Sequence, residues 1–212
     1  MSRPRGLRVI AGSARGRRLV APEGDSVRPT KDIAREAMFS ALDARGALDG
    51  AHVLDLYAGT GALAIEALSR GAATAVLVEQ DRAALAAIRT NLQVLEPGLQ
   101  ILEPGLRSAG SASGRAGTGS RAEVVARDVR RFLAAGPPER APFDLVFVDP
   151  PYETADDIIS EQLGALMGPG WLASGAIVSV ERPRRHPVVP PPGVSTGWER
   201  TFGDTLLSFL FL

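Results

Sequence analysis

Residues Val53 to Leu68 read VLDLYAGTGALAIEAL. Val53, Leu54 and Leu56 form a short apolar run of strand character. Gly59 and Gly61 supply a turn, and Leu63, Ile65, Ala67 and Leu68 follow at a spacing that suits a helix packed inward. A strand, a glycine turn and a helix N-terminus together make a ligand cradle, because backbone N–H groups at the helix start face outward. Gly59, Gly61 and Ala64 match the spacing of a dinucleotide fingerprint, and Glu79, at the end of the next apolar run, stands where an acid would take ribose hydroxyls. Asp55 argues against a pyrophosphate, since a carboxylate just before the turn repels a second anion. An acid there suits a cationic ligand.

The second informative stretch is Asp149-Pro150-Pro151-Tyr152, which follows the apolar run Phe143, Leu145, Val146, Phe147, Val148. It lies just past the C-terminal end of a strand, where open α/β sheets bind ligands. Two prolines stiffen the turn and remove two backbone donors. The Pro150 carbonyl and the Asp149 carboxylate are then able to accept the two hydrogens of an exocyclic amine, and Tyr152 offers a flat face for a base. Asp-Leu-Tyr-Ala-Gly-Thr-Gly looks like the first motif of class I methyltransferases, whose S-adenosylmethionine carries both a sulfonium and an ammonium. The tetrapeptide resembles the Asp/Asn-Pro-Pro-Tyr motif of methyltransferases acting on amino groups of nucleobases.

Composition narrows the alternatives. The chain has 212 residues, 45% of them hydrophobic and 23% charged, enough for one good core. It has no cysteine, which excludes disulfides, thiolate metal sites and cysteine nucleophiles and fits a reducing, cytoplasmic setting. No apolar run reaches membrane-spanning length. The formal net charge is zero, yet Met1 to Arg35 carries nine Arg/Lys against three Asp/Glu. That basic end is a candidate phosphate-binding surface. Its first part also has a transit-peptide composition, but Leu7 to Ala11 and Leu19 to Ala21 read as short strands around a turn carrying Arg15, Arg17 and Arg18.

A helix is expected from Lys31 to about Asp43, with Thr30 as N-cap and Ile33, Ala34, Ala37, Met38, Ala41 and Leu42 at helical spacing. Strands are expected at Thr74 to Glu79, Glu123 to Asp128, Ala176 to Val180 and in a closing hairpin, Trp198 to Thr201 with Thr205 to Phe211. Asp81 is read as the cap of a helix with a Leu85, Ile88, Leu92, Leu95 core stripe. Asp128 is read as the cap of a helix over Val129 to Ala135. Between 97 and 120 the chain repeats Leu-Glu-Pro-Gly-Leu and then runs through Gly, Ala and Ser, the composition of a flexible insertion. An RNA-facing arm using Arg107, Arg115 and Arg121 is one reading of it, a tolerated solvent loop the other. His52 and His186 have no partner at catalytic spacing and are read as structural or exposed.

Arg8-Val9-Ile10-Ala11-Gly12, Arg15-Gly16-Arg17, Arg28-Pro29-Thr30 and Arg35-Glu36, with the cradle and the tetrapeptide, resemble the RsmD family. That resemblance implies S-adenosylmethionine-dependent methylation of the N2 amine of one guanine in bacterial 16S ribosomal RNA, within an assembling 30S subunit. It implies a cofactor site at Thr30, Asp55, Tyr57, Ala58, Gly59, Thr60, Gly61, Glu79, Gln80, Asp128 and Val129, with Asp128 accepting from the adenine amine. Catalysis would rest on Asp149, Pro150 and Tyr152, and RNA contact on Arg15, Arg17, Arg18, Arg28, Arg35 and Pro151, without a metal.

The expected fold is α/β, a Rossmann-like class I methyltransferase with a mostly parallel seven-stranded sheet and an antiparallel C-terminal strand. Residues 1–28 form a basic hairpin extension and 29–212 the methyltransferase domain, in a monomer. Adenine-N6 or glutamine-N5 methylation uses the same tetrapeptide and stays open on the residues alone, as does a non-catalytic RNA module. An NAD oxidoreductase is disfavoured by Asp55 and by the lack of a proton-transfer histidine.

Overall fold

The computed structural model describes residues 6–22, 29–95, 101–102 and 121–212; the side chains of 29–31 and 101–102 fall outside that description. In chain order the elements are α1 (Pro29–Asp43), β1 (His52–Leu56), α2 (Ala62–Ser69), β2 (Thr74–Glu79), α3 (Arg82–Leu95), β3 (Ile101–Leu102) and β4 (Ala122–Ala126). There follow α4 (Val129–Ala134), β5 (Phe143–Val148), α5 (Asp156–Leu166), β6 (Leu172–Pro183), β7 (Ser195–Phe202) and β8 (Thr205–Phe211).

The strands form one sheet in the order β3-β4-β2-β1-β5-β6-β8-β7. All neighbours are parallel except around β8, which runs antiparallel to both β6 and β7. Seven strands are those read from the sequence. The eighth, the two-residue β3, comes from the stretch read as loop and pairs Ile101 with Ala122 at the sheet edge; the rest of 97–120 lies outside the described residues.

The central strands are apolar throughout because both faces are covered. Val53, Leu77, Leu145 and Phe147 face one buried cluster with Phe39 of α1, Leu68 of α2 and Ile88 of α3. Leu54, Leu56, Val78 and Val146 face the other, with Phe132 of α4 and Leu163 of α5. Among the described residues, no helix is long and apolar enough to cross a membrane.

Helix α1 begins at Pro29, so Thr30 sits in its first turn and is not the N-cap. Proline tolerates that opening position because its missing N–H would be unpaired there anyway. Arg28 lies outside the described residues.

The N-terminal segment is a turn with one antiparallel bridge, Arg8 to Arg18, in place of a longer ladder. It is sewn onto the main core. Val9, Ala14 and Leu19 are buried in the same cluster as Phe39 and Leu68. The carboxylate of Glu66, fully buried on α2, accepts from the N–H groups of Ile10 (2.7 Å) and Ala11 (2.9 Å) and from Arg70 Nε (2.7 Å). Gly12 has φ 79°, and a Cβ there would stand 1.8 Å from the Ser69 carbonyl oxygen, so only glycine allows this approach. Arg35, expected to face RNA, is 7% exposed and instead donates to the Arg8 carbonyl (2.7 Å) and to Asp32 (3.2 Å). Arg121 likewise turns inward, donating to the carbonyls of Leu68 (2.9 Å) and Ala72 (2.7 Å) at the end of α2.

Removing the Glu66 carboxylate orphans two backbone donors and a largely buried arginine. Glu66→Ala is expected to cost about 3–5 kcal/mol, measured by urea unfolding, and to open the segment around Ser13 to limited proteolysis.

Candidate active site

The parallel register brings the functional groups to one end of the sheet. Leu56 stands beside Val78 and Val148, so Tyr57, Glu79 and Asp149 follow at one level. Glu79 pairs with Ala126, which puts Asp128 just beyond the same edge. Val148 pairs with Val180, which brings Glu181 and Arg182 alongside the tetrapeptide.

The glycine turn carries positive φ at three alternate positions within five residues. Tyr57 has φ 61°, Gly59 φ 54° and Gly61 φ 75°. Gly61 is hemmed in, since a Cβ there would meet the Leu77 side chain at 3.1 Å, whereas at Gly59 nothing lies nearer than the Tyr57 carbonyl at 3.9 Å. The open side of Gly59 is therefore where a ligand can approach backbone. Thr60 turns its carbonyl inward to Asn91 Nδ2 (2.9 Å), and the Ala58 N–H is bound to the Val78 carbonyl (3.0 Å). Tyr57 contributes backbone alone to this turn. Its hydroxyl lies 2.9 Å from Oε1 and 2.6 Å from Nε2 of Gln162 on α5, donating to the first and accepting from the second, and burial raises its pKa.

Glu79 braces the turn as well as bordering it. Its Oε2 accepts from the Gly59 N–H (2.8 Å) and its Oε1 from the N–H groups of Gln80 (2.7 Å) and Asp81 (2.8 Å). A carboxylate has about four lone-pair sites, so Oε2 keeps one for a hydroxyl donor. Asp128 caps α4 through Oδ1, which accepts from the Arg131 N–H (3.0 Å), and Val129 opens the helix behind it.

Asp55 sits beneath the turn, 1% exposed, its Oδ2 accepting from the Ala64 N–H in the first turn of α2 (3.1 Å). Burial pushes its pKa up to about 8, the Ala64 hydrogen bond pulls it down, and the charges of Asp149 and Glu79 push it further up. Asp55 is thus the proton-bearing member of a crowded acidic trio.

The tetrapeptide turn is held from behind. Asp149 is half-buried, Pro150 buried and Pro151 exposed. The Pro151 carbonyl accepts from the Thr154 N–H (2.9 Å), while the Pro150 carbonyl has no hydrogen-bond partner among the described residues. The Tyr152 hydroxyl is 2.6 Å from Thr205 Oγ1 on β8. Arg182, 2% exposed on β6, donates through Nη2 to the Thr154 carbonyl (2.9 Å) and to Asp156 Oδ1 (2.6 Å). Asp156 Oδ2 in turn lies 3.0 Å from His186 Nδ1. Sequence reading gave Arg182, Thr205 and His186 no part in the site. Their signal was their place at the ends of β6 and β8 or in the turn just after β6, visible only once the strand order is known.

The arginines Arg15, Arg17 and Arg18 are exposed on the N-terminal turn, whose following residue Val20 shares the Asn91 side chain with Thr60 of the glycine turn. Their turn packs against Ser69, and Arg17 donates to the Val94 carbonyl, near the far ends of α2 and α3.

Residues 7–211 match the family model described as Conserved hypothetical protein 95. The chain is 37% identical over 175 residues to Ribosomal RNA small subunit methyltransferase D of Escherichia coli strain K12, covering 82% of this chain and 74% of the relative. To the protein of the same name from Haemophilus influenzae it is 29% identical over 197 residues, covering 93% and 89%. Among solved structures, the yhhF protein of Escherichia coli is similar with a TM-score of 0.76 and 33% identity, covering 97% of each chain.

Two outcomes test the architecture of this end of the sheet. With the folded pKa of Asp55 above its ordinary 3.8, the folded state keeps a proton that the unfolded chain sheds. Stability contributed by this group therefore falls as pH rises, by about 1.4 kcal/mol per unit, until the folded pKa is reached. Asp55→Asn is expected to remove that slope when urea unfolding is compared with the parent at about pH 5 and about pH 7.5. Arg182→Met leaves the Thr154 carbonyl unpaired, with an expected loss of about 1–3 kcal/mol and faster amide hydrogen exchange from Tyr152 to Asp156.

Proposed function

The chain belongs to the RsmD family, and from that membership and the pocket geometry we propose that it transfers a methyl group from S-adenosylmethionine to the N2 amine of a guanine in small-subunit ribosomal RNA. The observation that carries this reading is the turn at the end of β5. A carboxylate and a carbonyl without a hydrogen-bond partner among the described residues, from the adjacent Asp149 and Pro150, stand at the same strand-end level as the glycine turn and Glu79.

The residues present fit the cofactor. The open side of Gly59 gives room for close approach to backbone. Glu79 Oε2 keeps a lone pair for a ribose hydroxyl, and the cap made by Asp128 uses only Oδ1, leaving Oδ2 for the adenine amine. Gln80 and Val129 border the same strand ends, and the backbone of Thr30, in the first turn of α1, completes the set assigned to cofactor binding. Once bound, S-adenosylmethionine supplies an electrophilic methyl on a cationic sulfur. Two acids at this end, Glu79 and Asp149, favour that charge and disfavour a pyrophosphate, while Asp55 beneath the turn holds a proton.

The protein's own work is to aim and sharpen a weak nucleophile. An aromatic amine delocalises its lone pair into the ring. Hydrogen bonds from that amine to Asp149 and to the Pro150 carbonyl draw the lone pair back onto nitrogen and fix its direction. Positive charge grows on the nitrogen during transfer, so a fixed carboxylate stabilises the transition state more than the ground state. Asp149 then accepts the proton that the methylated amine has made acidic. Placing nucleophile and methyl in line supplies much of the remaining acceleration. A base reaches this turn only after leaving its stack, at a cost of a few kcal/mol that stacking on Tyr152 offsets. Pro151, exposed beside it, borders the base. Arg15, Arg17 and Arg18 would contact more distant RNA of an assembling subunit.

The test is methyl transfer from labelled S-adenosylmethionine to small ribosomal subunits lacking the modification. N2-methylguanosine is expected from the parent. Asp149→Ala should reduce turnover by about a thousandfold, a donor-acceptor loss of the size seen when a transition-state hydrogen bond is removed, with cofactor affinity kept. N6-methyladenosine, or label in protein, would overturn the substrate assignment.

A further inference from the structure

A second site adjoins Tyr152. A cleft of about 590 Å³ is lined by Tyr152, Pro183, Arg184, Arg185 and Asp204, a size in the range of small-ligand sites. Its walls are held by backbone. Pro183 pairs with Thr205, the Arg184 N–H donates to the Asp204 carbonyl (2.7 Å), and the His186 N–H donates to the Pro183 carbonyl (2.8 Å). The Tyr152 hydroxyl on Thr205 draws the tetrapeptide to the same place. Two consecutive arginines are thus presented from a pinned turn.

Their side chains are exposed, and neither has an ion-pair partner among the described residues. Arg182, two residues earlier, is spent on Thr154 and Asp156. Asp204 is the single acid lining the cleft, and it keeps an anion to the arginine side. By contrast, Arg17 is already committed to the Val94 carbonyl at the end of α3. A base drawn out of its stack leaves its neighbouring phosphates displaced, and these need fixed cations if the base is to stay in register. Guanidinium groups suit that task because they fork onto phosphate oxygens.

We propose that this cleft binds the nucleotide flanking the target base, with its phosphodiester held by Arg184 and Arg185. The inference rests on the proposed RNA substrate and adds the place where the RNA strand crosses the protein. The site contributes binding and orientation and takes no part in the chemistry.

The experiment is binding of a fluorescein-labelled stem-loop RNA at a series of salt concentrations, with methyl transfer measured in parallel. Arg184→Ala with Arg185→Ala should weaken binding by about tenfold and lower the slope of log affinity against log salt by about 0.7, the value for one phosphate neutralised on single-stranded RNA. KM for RNA should rise with kcat and cofactor affinity retained. Arg184→Lys with Arg185→Lys should restore the slope. An unchanged slope overturns the site, as does a loss confined to kcat, which would make the turn merely structural. If the parent methylates RNA and the double alanine variant matches it, the cleft fails and the function stands. If the parent binds RNA with the arginine-dependent slope yet transfers no methyl, the function fails and the cleft stands.

Discussion

Three carboxylates gathered at one end of a parallel sheet are the constraint on which the site depends. Because β1 lies between β2 and β5 in register, Asp55, Glu79 and Asp149 must share that end whatever their side chains do. Each meets the crowding differently. Asp55 keeps its proton, with a pKa of about 8. Glu79 spreads its charge over three backbone N–H groups. Asp149 stands at the end of β5 on a proline-stiffened turn. The resulting field is negative before any ligand arrives, and it sets the sign of what can settle there. A cation near the turn would also lower the pKa of Asp55, so ligand charge and the protonation of a buried acid are linked.

Much of this was legible in the chain. Period and composition located β2 and β8 at their observed bounds, since both are apolar runs with clear turn residues beside them. The glycine turn and the tetrapeptide announced their strand ends through prolines and glycines, whose backbone limits are local. Boundaries failed where pairing sets the limit. Strand β6 runs from Leu172 to Pro183, well beyond the apolar Ala176 to Val180, because β5 and β8 offer hydrogen-bond partners along the extra length. Strand β3 carries only two residues of apolar signal within a turn-like stretch, and its identity comes from β4.

Arginine was the least readable residue. Arg35, Arg121 and Arg182 look like surface charge in a one-dimensional pattern, yet each is tucked against backbone carbonyls from a distant segment. A guanidinium has five donors and can close several loose carbonyls at once. Which arginines do so depends on contacts tens of residues away, as with Arg121 and the end of α2. The same long-range dependence hid Glu66, which reads as an ordinary helix residue and anchors the N-terminal segment.

The position of β8 has a consequence for biogenesis. It inserts between β6 and β7, and it carries Thr205, the tether of Tyr152, while its pairing with β6 aligns Arg182. A chain leaving the ribosome in sequence order can build the glycine turn early, from β1, α2 and β2. The tetrapeptide turn gains its backing only when synthesis has passed Phe211. The nascent protein is therefore able to form the glycine turn well before the tetrapeptide turn has its support, which arrives with β8.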